Sequence, residues 1–339
     1  MAAHNHLVPV SLLVGLFFFL AAPPALTCDA GDRAALLKIK AGFQNPGKFT
    51  SWNESTNCCT WYGVKCNPHD NGGRVTYLHY SNHGAASDGL SGRLPDELGD
   101  LPFLSALSLA NHNVYGVLPL TLTRLTRLSF LYLPSNSLSG ALPSFLTQIR
   151  SLTFINLSFN KFSGLIPPEF SNFAALETLA LQTNNLEGEI PSTIGNLSKS
   201  LLPLSLLLAD NMLSGNIPKE LLAANWDTLD LSHNKLTGDP TALFAANKAT
   251  TYMDLSFNKL EFDMTGIEFP VKLITLTLQN NMITGSIPAQ INHLSTLLIF
   301  NVSSNQLCGI IPAGPVMDRF DNTHFFPSKC LCRSKVSCV

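Results

Sequence analysis

Residues 131–143 read LYLPSNSLSGALP, and most of the chain is this line written again. It recurs at 155–167 (INLSFNKFSGLIP), 179–191 (LALQTNNLEGEIP), 206–218 (LLLADNMLSGNIP), 276–288 (LTLQNNMITGSIP) and 300–312 (FNVSSNQLCGIIP). The asparagines of these lines stand at 136, 160, 184, 211, 281 and 305. Weaker copies at 229–234 and 253–258 fill the gap, and His112 holds the asparagine place of one copy before the run. Successive steps are then 24, 24, 24, 27, 23, 24, 23 and 24 residues. A repeat of that period is one turn of a stack, unable to bury its apolar face alone but able to share a core with its neighbours.

Each residue type in the line has a physical reason to be there. In L-x-L the leucines point inward and the residue between them points out, as strand alternation requires. A buried asparagine offers both donors and an acceptor to the backbone of adjacent turns. The glycine suits a positive φ, and the proline directs the return segment. With a partial first copy around residues 78–95 the count is ten. The expected fold is therefore an α/β repeat: a right-handed leucine-rich-repeat solenoid of about ten 24-residue repeats. Its parallel β-sheet is concave, its convex side carries 3-10 or short helices, and disulfides staple its caps.

Outside the repeats, residues 12–22 are an apolar run of signal-peptide length, with Ala25 and Thr27 as small residues before a cleavage point at Cys28. No other apolar run is long enough to span a membrane, so a secreted chain is expected. Of its 339 residues, 8 are cysteines, clustered as Cys28, Cys58, Cys59, Cys66 and as Cys308, Cys330, Cys332, Cys338. Two clusters at the two ends of a secreted solenoid read as disulfides closing the caps, with three connectivities open at each end. The spacings lack paired C-x-x-C or histidine signatures, which disfavours zinc, and no metal or cofactor is expected. A net charge of −2 with 13% charged residues gives no basic footprint for nucleic acid. The expected organisation is a signal peptide at 1–27, an N-terminal cap at 28–73, repeats at 74–315 and a C-terminal cap at 316–339.

In the first cap, Asp32 can start a helix whose apolar face is Ala35, Leu36, Ile39 and Phe43. Trp52 and Trp61 bracket the double cysteine and are expected to plug the open core. Extra residues between Tyr80 and Leu90 suggest a loop with turn chemistry. Sequons occur at Asn53, Asn156, Asn196 and Asn301. Asn53 and Asn196 are the expected glycan carriers, because Asn156 and Asn301 lie between inward leucine-type positions on the concave strands.

A partner would meet the outward residues of those strands. They are Phe130, Tyr132, Phe154, Glu177, Gln182, Ser205, Asp210, Asp227, Asp230, His233, Thr251, Tyr252, Asp254, Phe257, Thr275, Thr277 and Gln279. Exposed aromatics can anchor a protein partner and acids can steer a basic one. Leu204 and Leu207 are also expected on this surface, as an apolar patch. Asp230 and Asp254 should lie about 5 Å apart on neighbouring strands. That spacing alone would suit a glycosidase, but an open sheet should leave both acids solvated with their pKa values unseparated. No nucleophile elbow, zinc-protease motif or phosphate loop is present, so no catalytic residue is assigned.

The repeat line in the form L-x-x-L-x-L-x-x-N-x-L-x-G-x-I-P, the cap SWNESTNCCTWYGVKC, and the four-plus-four cysteines resemble the plant polygalacturonase-inhibiting proteins. The likeness covers essentially the whole mature chain and extends to DPTALFAANKAT at 239–250 and the Cys-Leu-Cys at 330–332. It implies disulfides Cys28–Cys58, Cys59–Cys66, Cys308–Cys330 and Cys332–Cys338. It further implies a cell-wall protein that binds fungal, and sometimes insect, endopolygalacturonases. The alternatives are a non-inhibitory module for pectin or a signalling partner and, ranked last because its threonines are irregular, an ice-binding surface.

Overall fold

The computed structural model describes residues 27–67, 73–84, 89–199 and 204–333. The apolar run at 12–22, residues 85–88 of the loop insertion and Cys338 lie outside them. Eleven strands form the main sheet. An antiparallel first strand from the cap, Val64–Cys66, is followed by ten parallel ones from Val75–Ser81 to Ile299–Asn301. One such strand per coil is what the repeat count calls for.

The asparagines hold the coils together. Asn160 Nδ2 donates to the carbonyls of Leu157 (3.1 Å), Ser158 (3.0 Å) and, one coil back, Leu133 (2.9 Å), while its Oδ1 accepts from Leu138 N–H at 3.0 Å. Asn136, Asn184, Asn211, Asn234, Asn258, Asn281 and Asn305 donate in the same way. His112 fills the place with an imidazole: Nδ1 takes the Leu90 N–H at 3.1 Å and Nε2 meets the Tyr80 carbonyl at 2.6 Å. Only a neutral ring protonated at Nε2 can accept at one nitrogen and donate from the other. Burial pushes this imidazole below its ordinary value, outweighing the upward pull of the Tyr80 carbonyl.

The residue before each ladder position, from Asn111 to Ser304, is left-handed with φ between 51° and 59°. After the ladder residue the chain forms a second strand that the repeat pattern did not reveal. Eight of these strands, from Ser91–Arg93 to Lys259–Leu260, make a second sheet. Some of its glycines serve as seats: Gly140, at φ 85°, leaves space where a Cβ would meet Val117 Cγ1 of the preceding coil at 2.9 Å. The proline ending most lines then caps a short helical turn, as Pro143 does for the 3-10 turn Ser144–Gln148, Pro167 for Pro168–Asn172 and Pro218 for the α-helical turn Lys219–Ala223. Inside, leucine, isoleucine and phenylalanine side chains form one continuous core from Ala35 to Leu331.

The caps close both ends. The first helix spans Ala30–Gly42, and its N-cap is Asp29, not Asp32. Asp32 is instead buried, binding Arg74 through two oxygens (2.6 and 3.0 Å) and accepting the Val75 N–H at 2.7 Å. Its carboxylate thereby ties the helix to the start of the sheet. Trp52 and Trp61 are buried and stacked at 5.4 Å over the first coil. Disulfides join Cys28 to Cys58, Cys59 to Cys66 and Cys308 to Cys330, and Cys332 is also disulfide-bonded. At the far end Asn305–Ile310 pairs with Ser328–Cys332.

Candidate functional site

Register sets the concave face in two outward rows. One runs Tyr77, Ala106, Phe130, Phe154, Thr178, Ser205, Thr228, Tyr252, Thr275, Ile299. The other runs His79, Ser108, Tyr132, Asn156, Ala180, Leu207, Asp230, Asp254, Thr277, Asn301. A third row consists of the left-handed residues, among them Phe159, Thr183, Asp210, His233 and Phe257.

These rows give the face two halves. Towards the N-terminus, Phe130 stacks on Phe154 at 4.5 Å and lies 5.8 Å from Tyr132. Towards the C-terminus, Asp230 and Asp254 are direct partners across adjacent strands, with Tyr252 beside them. Each acid is clasped by the serine two residues on. Asp230 Oδ1 accepts from Ser232 N–H (3.1 Å) and Oγ–H (2.7 Å); Asp254 Oδ1 accepts from Ser256 N–H (2.9 Å) and Oγ–H (2.6 Å). Asn156 and Asn301 use Ser158 and Ser303 identically, so the clasp does not need a charge.

Contrary to the expectation of fully solvated acids, burial pushes the Asp230 carboxyl up, assisted by the charges of Asp254 and Asp210 and opposed by the Ser232 hydrogen bonds. Burial, with Asp230 and Asp254 adding to it, also pushes the Tyr252 phenol up to about 12. The acids thus concentrate negative potential around a neutral phenol.

The remaining expected site residues divide. Asp227 accepts from Thr251 Oγ–H at 3.1 Å along the sheet margin, where Glu177 is also exposed. Asp210 Oδ1 lies 3.9 Å from His233 Nδ1, and the His233 and Phe257 rings stack at 4.1 Å. Ser205 is half-buried, whereas Gln182 and Gln279 are partly buried with their Oε1 atoms enclosed and unpaired. Thr275 and Thr277 face outward by register but are buried, because they are short side chains between taller neighbours such as Tyr252, Asp254, Ile299 and Asn301. Leu204 is fully buried: it pairs with Trp226, and a register slip before Ser205 turns it into the core. Leu207 does remain outward and half-buried.

Phe159 is the residue that pattern reading missed. It is 53% exposed in the left-handed region, which disfavours bulky side chains. Its signal was present as the residue before Asn160, the same place that His233 and Phe257 take before their asparagines. Among the described residues the one cluster of possible metal ligands, Cys28, Cys58 and Cys59, is committed to disulfides.

Residues 29–67 match the leucine rich repeat N-terminal domain, and 151–173, 175–197, 225–246 and 272–294 match the leucine rich repeat itself. Polygalacturonase inhibitor 2 of Arabidopsis thaliana is 47% identical over 307 residues, covering 90% of this chain and 90% of that protein. The chain belongs to the polygalacturonase-inhibitor family. Leucine-rich repeat protein FLOR 1 of the same plant is also similar to it, at 39% identity over 94% of this chain and 96% of that one. The crystal structure of a plant ice-binding protein has the same fold, with a TM-score of 0.85, 39% identity and coverage of 90% and 96%. The first of these relatives is named as an inhibitor, and no described helix here is long and apolar enough to cross a membrane.

Proposed function

We propose that this protein is a secreted cell-wall inhibitor that binds fungal endopolygalacturonases, and in some cases insect ones, through its concave face. The observation that carries this reading is the division of that face into an aromatic half around Phe130, Tyr132 and Phe154 and an acidic half around Asp230 and Asp254. Rigid aromatics supply contact area at low entropic loss, while paired acids attract a basic surface and orient its approach. Such an arrangement suits gripping a macromolecule, since the open sheet encloses no small substrate. Titrating purified endopolygalacturonases with the protein and following reducing-end release from polygalacturonate tests it. Release unchanged across a panel at micromolar protein sinks the reading.

A non-inhibitory module is the second reading. Between Tyr132 and Asp230 the second row carries Asn156, Ala180 and Leu207, leaving the middle of that row without an acid. Pectin retention reversed by salt, with no inhibition, would favour it. The ice-binding relative lends no similar support, because Ser205 and Tyr252 interrupt the threonines of the first row.

A further inference from the structure

At the margin of the concave sheet, one outward position recurs from coil to coil, immediately after an inward core residue, except in the sixth coil, where the register slip turns Leu204 inward. It holds Ser105, Ser129, Thr153, Glu177, Asp227 and Thr251 and then, in the last two coils, Ile274 and Leu298. The chain of backbone bonds Thr153 to Ser129, Glu177 to Thr153, Thr251 to Asp227, Ile274 to Thr251 and Leu298 to Ile274 confirms that these are successive steps of one row. Polar residues therefore give way to branched apolar ones at the C-terminal end. Ile299 joins them from the adjacent row, its N–H also bonded to the Ile274 carbonyl. Ile274 is 42% exposed, Leu298 68% and Ile299 52%. Isolated exposed leucines need no explanation, but three neighbours replacing a polar row do.

We propose that Ile274, Leu298 and Ile299 are the apolar anchor of a docking surface whose polar part is Asp227, Tyr252, Asp230 and Asp254. This rests on the reading of the concave face as a protein-binding site and adds the chemistry of its partner. The occupant is a protein surface presenting an apolar side chain beside basic ones, about 10–15 Å away at two to three strand spacings. Charge decides against a second copy of this chain. Self-association along the whole of this surface would bring Asp227, Asp230 and Asp254 of one molecule near the same acids of the other. A basic partner would neutralise them while its apolar group covers the isoleucines and Leu298, and the two terms act differently: charge mainly on association, burial mainly on dissociation.

The test uses the whole secreted protein carrying Leu298→Ser with Ile299→Ser. Both side chains are exposed, so thermal midpoint and circular dichroism should match wild type. Against endopolygalacturonases that bind wild type, biosensor dissociation should quicken at least tenfold with the salt dependence of association unchanged. Binding within twofold of wild type by this folded double variant overturns the anchor alone. Binding of no enzyme by wild type sinks the parent reading and the anchor with it. Concentration-dependent sedimentation of wild type that the double variant abolishes would also overturn the proposal, by assigning the patch to self-association.

Discussion

His112 shows how much chemistry one ladder position demands. A leucine there would leave the Leu90 N–H and the Tyr80 carbonyl unpaired in the core, at a loss of about 1–3 kcal/mol for each buried group. Asparagine, the residue used in the other coils, should restore both bonds. Because the fold lowers the His112 pKa, its contribution is complete above the ordinary value of 6.5 and is lost as pH falls through the lowered one. Thermal melts from pH 7.5 to 5 should therefore show part of the acid destabilisation vanish in His112→Asn, and His112→Leu should melt lower throughout. An unchanged pH slope in His112→Asn rejects the assignment. Asp230 gives the opposite sign. Its raised pKa means that the fold disfavours the charged carboxylate, a penalty present at neutral pH and relieved as pH falls through the raised value towards 3.8. Asn156 and Asn301 make the same clasp without a charge, so Asp230→Asn should raise the neutral-pH thermal midpoint by about a degree or more, with the gain fading in acid. The asparagine ladder and the outward direction of these acids were legible because six near-identical lines state them. The burial of Thr275 and Thr277 was not, since parity fixes direction while exposure depends on the size of neighbours one coil away. Leu204 escaped for another reason: a register slip moves it by one residue and so to the opposite face.

At the scale of one element, the second sheet is where sequence reading stopped short. The four-residue stretch after most ladder asparagines, such as SLSG at 137–140, KFSG at 161–164 and NLEG at 185–188, carries few β-branched residues and ends on a glycine, a composition that reads as a turn. It becomes a strand because the asparagine positions each coil's backbone against the next, as with the Leu138 N–H held by Asn160. The recurring glycine was correctly expected at positive φ, but its second role as a seat for the preceding coil is visible only in three dimensions. Gly140 and Gly164 separate the two roles. Both are left-handed, at φ 85° and 78°, yet an added Cβ meets Val117 Cγ1 at 2.9 Å in the first and nothing within 4 Å in the second. Gly164→Ala should then lose only the backbone term, about 1–2 kcal/mol. Gly140→Ala should lose more, and Val117→Ala in the same chain should return only the excess. Equal melting shifts for the two glycine variants would show that the seat contributes nothing.

For the molecule as a whole, stacking converts a local spacing into a long surface, with the Phe130–Phe154 stack in one half and the paired acids in the other. That surface must stay clear of sugar to work. Asn53 and Asn196 are exposed in the cap and in a convex turn, whereas Asn156 and Asn301 sit half-buried in the second concave row with their Oδ1 atoms already clasped. Glycopeptide mass spectrometry should find Asn53 and Asn196 largely occupied and the concave pair largely bare; full occupancy of both concave sites would argue strongly against binding through the centre of the face. With the face open, its acids act before contact is made. At the ionic strength of dilute buffer the potential of Asp210, Asp227, Asp230 and Asp254 extends beyond the sheet, and it is screened within about 8–10 Å near physiological salt. Replacing Asp230 and Asp254 together by asparagine keeps both serine clasps and removes two charges from the centre of that field. Association with a bound endopolygalacturonase should slow by about tenfold at low salt and converge on the wild-type rate as salt rises, with dissociation little changed. An association rate that ignores both the substitutions and the salt would mean that the acidic half does not face the partner.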